Sequence, residues 1–234
     1  MKQSKQRLLT PKGAATRARI LAAAARLVAA SGAHRMSLDE VMEQSGVGKS
    51  QLYHYFADKD ALIREVIAFQ TERVLAAQNP FIENLNSMEA LHRWRDALLQ
   101  INRQTNAIGG CPIGSLASEL ADRSEIERLL LVASFERWAA FIVDGLKQMQ
   151  ARGELDPHAD PLKLATATLC AIQGGLLMAK TMRLTAPLET ALDMAMEHIE
   201  RHMLPGPAGR KLSGRRAKPA GAAPLRPRPA SAAP

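Results

Sequence analysis

The chain has 234 residues, of which 47% are hydrophobic, 4% aromatic and 23% charged. This length suits one large domain or a small and a medium one, and the apolar fraction excludes a wholly disordered chain. Good helix formers (Ala, Leu, Met, Glu and Arg) dominate, and alternating β-branched runs and Asn-Gly hairpin signals are missing. The sequence therefore predicts an all-α fold.

The positive charge is concentrated at the two ends of the chain, whose formal net charge is +8. Residues 1–31 contain seven Lys or Arg, residues 205–234 contain another seven, and neither segment has an acidic residue. The body between them is net acidic. We expect the N-terminal part to bind a polyanion. For the C-terminal tail, binding a polyanion and merely aiding solubility are equally good explanations of its charge.

Two cysteines, Cys111 and Cys170, are too few for a disulfide framework and favour a reducing compartment. The Ala-rich stretch 20–33 follows a basic start as in a signal peptide, but Arg26 interrupts it and a helix-turn-helix pattern follows. No uncharged apolar run of about 18 residues stands in a spanning context. We therefore expect a cytoplasmic protein without membrane association.

The predicted helices follow from apolar periodicity, capping residues and prolines at helix starts. In chain order they are a helix from Pro11 or Ala14 to Ala30, a short helix between Ser37 and Gly46, a second short helix over 49–55, a long helix over 59–77, and helices over 87–106, 112–121, 124–151, 161–182 and 187–203. No internal repeat is visible.

Residues 37–56 have the pattern of a DNA-binding helix-turn-helix, two short helices joined by a turn at Gly46. Val41, Val47 and Leu52 can close a small core between the helices, so the second helix presents its other side chains outward. Those side chains suit base edges and phosphates, and they are Lys49, Ser50, Gln51, Tyr53 and His54. The same short-helix pattern also occurs in helical proteins that do not bind DNA.

Several elements of fixed spacing between Thr16 and Ile67 together resemble the N-terminal signature of the TetR family. They are Thr16-Arg-x-x-Ile-Leu-x-Ala-Ala-x-x-Leu, Ser37-Leu-x-x-Val, Ser45-Gly-Val-Gly-Lys-Ser-x-Leu-Tyr-His-Tyr-Phe and Lys59-x-x-Leu. The resemblance implies that Leu52 and Phe56 are structural. It places at or near DNA the residues Lys49, Ser50, Gln51, Tyr53, His54, Tyr55 and Lys59.

This resemblance implies an N-terminal three-helix helix-turn-helix domain and a larger helical domain that binds a ligand and dimerises. The expected segments are a flexible basic arm at 1–13, the DNA-binding domain at 14–58, the effector-binding and dimerisation domain at 59–204 and a disordered basic Pro/Ala-rich tail at 205–234. The first helix of the effector-binding domain connects it to the DNA-binding domain. Expected partners are pseudo-palindromic double-stranded operator DNA, a small-molecule effector and a second copy of the chain. The usual activity is repression relieved by the effector.

A pair of glycines inside an otherwise strong helix marks the expected dimer interface. Each glycine costs about 1 kcal/mol relative to alanine in a helix, so close packing is the expected reason. The segment resembles the dimerisation helix of TetR-like proteins, with Gln173, Gly174, Gly175 and Leu177 at the interface. Ordinary packing within one chain is the alternative.

The expected effector pocket is lined by large side chains of the C-terminal domain. The candidates are Trp94, Leu98, Cys111, Phe135, Trp138, Phe141 and Met178. Large apolar residues at helical spacing also occur simply as core. No cluster of charged residues in the sequence identifies the chemical class of the effector.

Cys111 lies in Gly109-Gly110-Cys111-Pro112-Ile-Gly114, directly before a predicted helix. A helix N-terminus lowers the pKa of a thiol, and the segment is similar to a TetR subgroup that includes electrophile- and oxidant-sensing repressors. The same residues also make a sharp entry into a helix, and buried thiols are common. Cys170, among apolar residues in mid-helix, is expected to be inert core.

Two other classes of protein, an enzyme and an architectural DNA-binding protein, are the alternatives to a regulator. Motifs for phosphate loops, zinc proteases and nucleophile elbows are missing from the sequence, which argues against an enzyme, and we expect no cofactor. His198 and His202 stand four residues apart, but two ligands are too few for a metal site. An architectural DNA-binding protein without an effector remains the alternative within DNA binding.

Overall fold

The computed structural model describes residues 10–205, so the predicted tail and most of the predicted arm lie outside the described residues. The helices are α1 (Pro11–Ser31), α2 (Leu38–Ser45), α3 (Lys49–Tyr55), α4 (Lys59–Ala76), α5 (Met88–Gln104), α6 (Pro112–Leu120), α7 (Glu125–Ala151), α8 (Pro161–Met182) and α9 (Ala186–Glu200). A short 3-10 helix, Phe81–Asn84, joins α4 to α5. The all-α prediction is confirmed.

Side-chain caps set most of the helix starts. Thr10 Oγ1 accepts a hydrogen bond from Gly13 N at 3.2 Å, so α1 begins at Pro11 and residues 11–13 are helical rather than part of an arm. Asp58 caps α4 in the same way. α9 begins one residue before its predicted start, at Ala186, and ends at Glu200 rather than at 203.

The helices α1 to α4 enclose the core of the N-terminal part. Val41 and Leu52 are fully buried and Val47 is 7% exposed, as the helix-turn-helix pattern predicted. α4 then continues into the larger part, where it packs against α6 and α7. The deepest side chains of that larger part include Trp94, Trp138 and Ile142.

Two glycines allow close helix packing within one chain. A Cβ at Gly145 of α7 would lie 2.0 Å from the carbonyl oxygen of Leu85. A Cβ at Gly175 of α8 would lie 2.9 Å from the Cα of Leu188 in α9. Gly175 is therefore required by packing inside the chain, whereas nothing lies within 4 Å of a Cβ at Gly174.

α8 is long and apolar enough to cross a membrane by length and composition alone. Its most apolar 18-residue window has a mean hydropathy of 1.4, and 39% of that window is buried. The helix packs against both α7 and α9. Core helices have the same composition, so this feature is weak evidence for a membrane.

We predict that Gly145→Ala destabilises the protein although alanine is the better helix former. The added methyl group meets a backbone carbonyl that cannot rotate away, and overpacking of this kind costs about 1–3 kcal/mol. Ala133→Gly, on the exposed face of the same helix, should lower the free energy of unfolding only by the difference in helix propensity, about 1 kcal/mol. Urea unfolding of both variants checks this, and an unchanged or higher stability of Gly145→Ala would contradict it.

Candidate DNA interface and effector cavity

The turn between α2 and α3 is built from local hydrogen bonds and one left-handed glycine. Ser37 Oγ accepts from Glu40 N at 3.2 Å, while the Glu40 carboxylate accepts from Ser37 N at 3.0 Å. These bonds also lower the pKa of Glu40. Gly46 ends α2 with φ +66°, a conformation that glycine adopts without strain. The turn therefore fixes how α3 leaves α2.

The inner face of α3 is anchored and its outer face is exposed. Leu52 is fully buried and Phe56, which follows the helix, is 3% exposed. The Arg17 guanidinium of α1 lies 5.4 Å from the centre of the Phe56 ring, in cation–π range. The predicted contact residues on the exposed face are Lys49, Ser50, Gln51, Tyr53 and His54.

Two of the predicted DNA-contact residues have contacts within the chain. Tyr55 is half-buried and packs against the core, with its ring edge-on to His54 at 4.9 Å between centroids. Lys59 Nζ donates to the carbonyl oxygen of His34 at 2.7 Å. An ammonium has three N–H donors, so two of them remain for a phosphate oxygen.

The C-terminal end of α6 is hydrogen-bonded to the turn that follows α1. Glu119 Oε2 accepts from Ala33 N at 2.8 Å, and Oε1 accepts from His34 N at 2.5 Å. A Cβ at Gly32 would lie 3.0 Å from the same carboxylate, so glycine leaves room for it. Charge-assisted bonds to two successive backbone N–H groups make this a specific junction between the DNA-binding part and the larger part.

A cavity of about 490 Å³ lies between α1, α4 and the helices of the larger part. Its volume is within the range of small-molecule sites. The wall is formed by Ala25, Arg26, Ala29, Gln70, Arg73, Val74, Ala77, Gln78, Leu98, Ile101, Asn102, Thr105, Ile108, Gly110, Cys111, Pro112, Trp138, Ile172, Leu176 and Leu188. The cavity therefore adjoins the first helix of the DNA-binding part.

Three of the predicted pocket residues line this cavity, namely Leu98, Cys111 and Trp138. Trp94 lies behind the wall, because its Nε1 donates to Gln78 Oε1 at 2.9 Å and Gln78 is the residue that lines the cavity. Sequence periodicity identified Trp94 as inward-facing but could not distinguish the wall from the layer behind it.

The other three candidates lie elsewhere. Phe135 lines a separate groove of about 730 Å³ between α7 and α8. Phe141 is partly buried against the hydrophobic core. Met178 is 55% exposed on the outer face of α8. The prediction that these three residues line the cavity is not supported, because none of them is part of its wall.

The polar part of the cavity wall was not predicted from the sequence. Arg26 comes from α1, Gln70 and Arg73 from α4, and Gln78 and Asn102 from the segments that follow. A signal was present in Gln70 and Asn102, polar residues at otherwise apolar helical positions, which are 4% and 5% exposed. Their convergence depends on tertiary packing and not on spacing.

Cys111 has the buried environment that was one of its two interpretations, whereas Cys170 does not lie in the core as expected. Cys111 is the N-cap of α6, as predicted, and its Sγ accepts from Gly114 N at 3.4 Å. It is nevertheless buried, and burial raises the pKa of its thiol more than the hydrogen bond from Gly114 lowers it. The expected lowering of its pKa is therefore wrong. Cys170 is exposed on α8 and not core, because it lines the open groove between α7 and α8.

The outer face of α8 and α9 carries exposed apolar side chains. On α8, Leu177 is 65% exposed, Gly174 is exposed beside it and Gln173 is half-buried. Other exposed apolar residues on the two helices are Leu162, Met178, Met182 and Met194. Of the four predicted interface residues, only Gly175 is buried within the chain.

Metal ligands do not cluster within residues 10–205, where no group of three or more His, Cys, Asp or Glu side chains is placed to hold an ion. His198 and His202 pack edge-to-face on each other, with ring centroids 5.5 Å apart.

An all-α chain with a helix-turn-helix at one end and a ligand-sized cavity beside it is a helix-turn-helix transcriptional regulator. The family described as bacterial regulatory proteins, tetR family, matches residues 20–66, and the tetracyclin repressor-like C-terminal domain matches residues 87–195. An uncharacterized HTH-type transcriptional regulator of Mycobacterium tuberculosis is 31% identical over 185 residues, covering 74% of this chain and 88% of the relative. The chain belongs to the TetR family.

Other relatives agree with this assignment. The HTH-type transcriptional regulator LmrA of Bacillus subtilis is 26% identical over 175 residues, covering 74% of this chain and 90% of LmrA. A TetR transcriptional regulator from Chloroflexus aurantiacus superimposes with a TM-score of 0.70 at 25% identity, covering 83% of this chain and 98% of that one. The reduced form of Escherichia coli NemR has the same fold, with a TM-score of 0.65 at 24% identity over 82% and 99% of the two chains.

We predict that Glu119→Ala loosens the junction between the two parts. Loss of two charge-assisted bonds should speed hydrogen exchange at the amides of Ala33 and His34 by about tenfold or more, corresponding to about 1.4 kcal/mol. Exchange measured by mass spectrometry tests this, with Asp122→Ala at a nearby exposed position as the control. Equal protection in the two variants would contradict the proposed junction.

Proposed function

We propose that the protein is a cytoplasmic homodimeric repressor that binds a pseudo-palindromic operator through α3 and is released by a small molecule bound in the 490 Å³ cavity. The observation that carries this proposal is that Ala25, Arg26 and Ala29 of α1 form part of the cavity wall. A ligand in that cavity contacts the DNA-binding part directly. Its occupancy and the position of α3 are therefore coupled.

The DNA contacts are divided by chemistry. Gln51 has an amide that pairs with an adenine edge, whereas Tyr53 and Lys59 suit phosphate oxygens. The basic residues of α1 add attraction that does not depend on sequence and weakens with salt. Selective binding therefore rests on a few exposed side chains of one seven-residue helix.

We predict that Gln51→Ala relaxes base preference at one operator position by about tenfold or more while leaving the salt dependence of binding unchanged. Gln44→Ala, on the exposed part of α2, is the matched control and should retain the preference. Affinity for the upstream intergenic DNA and single-base variants, measured at two salt concentrations, checks both. Weak, unselective wild-type binding that disappears with salt would favour the architectural alternative.

The dimer is proposed to form through the uncovered face of α8 and α9. Two such helices from each copy would make a four-helix bundle across a twofold axis, which is the commonest oligomer symmetry. Support comes from the exposed apolar residues of this face and from Gly174, where a neighbouring helix has room to approach. Gly175 contributes indirectly by holding α9 close to α8.

We predict that Leu177→Arg converts the dimer to monomers, because it places two guanidinium groups near a twofold axis in place of apolar surface. The dimer dissociation constant should rise by about 100-fold or more, as burial of one leucine in each copy contributes about 1.5–3 kcal/mol. Analytical ultracentrifugation measures this. Phe81→Arg replaces an exposed apolar residue on the 3-10 helix and should leave the dimer intact; a dimeric Leu177→Arg protein would overturn the assignment.

A covalent effector at Cys111 is the second candidate, supported by the position of its thiol in the cavity wall at the start of α6. Because burial raises the pKa of this thiol, little thiolate is present at pH 7, and its alkylation rate should increase throughout pH 7 to 9. Peptide mapping after N-ethylmaleimide treatment measures that rate, with Cys111→Ser as the control. Fast alkylation at pH 7 that releases DNA only when Cys111 is present would favour the covalent mechanism.

A further inference from the structure

We propose that the effector is an amphipathic anion, with an apolar body against the inner wall of the cavity and a carboxylate-like group at its mouth, bound by Arg26 of α1 and Arg73 of α4. This inference rests on the proposed function, because it names the chemical class of ligand that the cavity takes. Both arginines line the cavity and both side chains are exposed at its edge.

The charge of the wall has one sign only. Arg26 and Arg73 are the charged residues among those that form it, and no aspartate or glutamate is present in that set. Neither guanidinium has a carboxylate within 4.0 Å among residues 10–205. On the same two helices Arg17 is paired with Glu65 at 2.7 Å and Arg64 with Glu127 at 3.2 Å, whereas Arg19 of α1, outside the cavity, has no carboxylate within 4.0 Å among residues 10–205.

Arg26 and Arg73 differ from Arg19 in that they line a cavity, where their unpaired guanidinium groups are available to a ligand. The Arg73 guanidinium lies 5.6 Å from the centre of the Phe69 ring, a stacking that orients the group and leaves its N–H edge available. A planar guanidinium binds a carboxylate through two parallel N–H bonds. An anion is therefore favoured over a neutral or cationic group at this position.

The inner wall is apolar. Trp138, Ile172 and Leu188 are 1%, 0% and 1% exposed and approach from three different helices. Gln70 and Gln78 also line the cavity and are buried, and Gln78 already accepts from Trp94. A ligand that fills the cavity therefore places an apolar body against the inner wall and its charge at the mouth, which favours an amphipathic anion over a compact, fully hydrated one such as inorganic phosphate.

Two buried polar atoms of the wall have no hydrogen-bond partner within the described residues. They are Asn102 Oδ1, an acceptor, and Trp138 Nε1, a donor. Buried polar groups are nearly always paired, so an unpaired donor and acceptor in one cavity wall indicate a ligand that supplies both partners. A hydroxyl group partway along the apolar body is the simplest group that can do so, because it both donates and accepts.

The two arginines also explain how such a ligand would act. Arg26 belongs to the DNA-binding part, and Arg73 to the helix that continues into the larger part. An anion that binds both favours the arrangement of α1 and α4 in which the two guanidinium groups converge. Release follows if the DNA-bound arrangement separates them, since a ligand shifts an equilibrium only by its difference in affinity for the two states.

The test uses decanoate, 1-decanol and decylamine, which have the same chain and differ in head-group charge. The chain has two tryptophans, one in the cavity wall and one hydrogen-bonded to a wall residue, so intrinsic fluorescence reports binding without DNA. We expect decanoate to bind at least tenfold more tightly than decanol, and decylamine to bind least. The double variant Arg26→Gln, Arg73→Gln should lose that preference and leave decanol affinity within about twofold.

Arg123→Gln removes an exposed arginine outside the cavity and should keep the preference. Two hydroxylated decanoates, one with its hydroxyl at carbon 10 and one with its hydroxyl in mid-chain, test the proposed hydroxyl partway along the ligand. We expect the mid-chain compound to bind more tightly. Equal affinity of the wild type for decanoate and decanol, no binding of decanoate, or a preference retained in the double variant would overturn the inference. Selective operator binding by the same preparation would show that the regulator proposal stands independently.

Discussion

The structure depends on α4, a single helix whose two ends pack in the DNA-binding part and in the larger part, within one continuous hydrophobic core. Its first turns bury Leu62, Ile63 and Val66 in the DNA-binding part, and its last turns place Gln70 and Arg73 in the cavity wall. Thr71 Oγ1 also donates to Ser134 Oγ of α7 at 2.8 Å. A helix that is buried by both parts cannot rotate in one without repacking the other, because protein interiors are close-packed.

The Glu119 junction adds a second connection between the same two parts. The carboxylate holds the turn after α1, while the other end of α6 begins at Cys111 and Pro112 in the cavity wall. A nine-residue helix therefore runs from the effector cavity to the DNA-binding part. Two connections at separate points fix the orientation of the DNA-binding part relative to the larger part, whereas a single connection would act as a hinge between them.

The helix-turn-helix was predictable because its determinants are local. The Ser37–Glu40 capping box, the left-handed Gly46 and the buried Leu52 all act within a few residues of one another, and the spacing of these types is visible in the sequence. The effector cavity was only partly predictable. It is assembled from α1, α4, α5, α6, α7, α8 and α9, so which face of each helix meets it depends on packing that no periodicity encodes.

Cys111 and the glycine pair show where local reasoning fails for a physical reason. At Cys111 two effects oppose each other, since the helix start favours the thiolate and burial disfavours it, and only the structure shows that burial has the larger effect. The two adjacent glycines lie about 100° apart around α8, so Gly175 serves packing against α9 while Gly174 faces outward. A sequence motif identified the pair but could not assign the two roles.

The energies required of an effector are modest on this architecture. A tenfold loss of DNA affinity corresponds to about 1.4 kcal/mol, and one charge-assisted hydrogen bond contributes about 1.5–3 kcal/mol. A ligand that gains a single such contact in only one arrangement of α1 and α4 therefore suffices to shift the equilibrium. Under the proposed function the cavity does not have to bind its ligand tightly; it has to bind it unequally in the two states, and a wall built from both parts is the place where a change in their arrangement would alter the ligand's contacts.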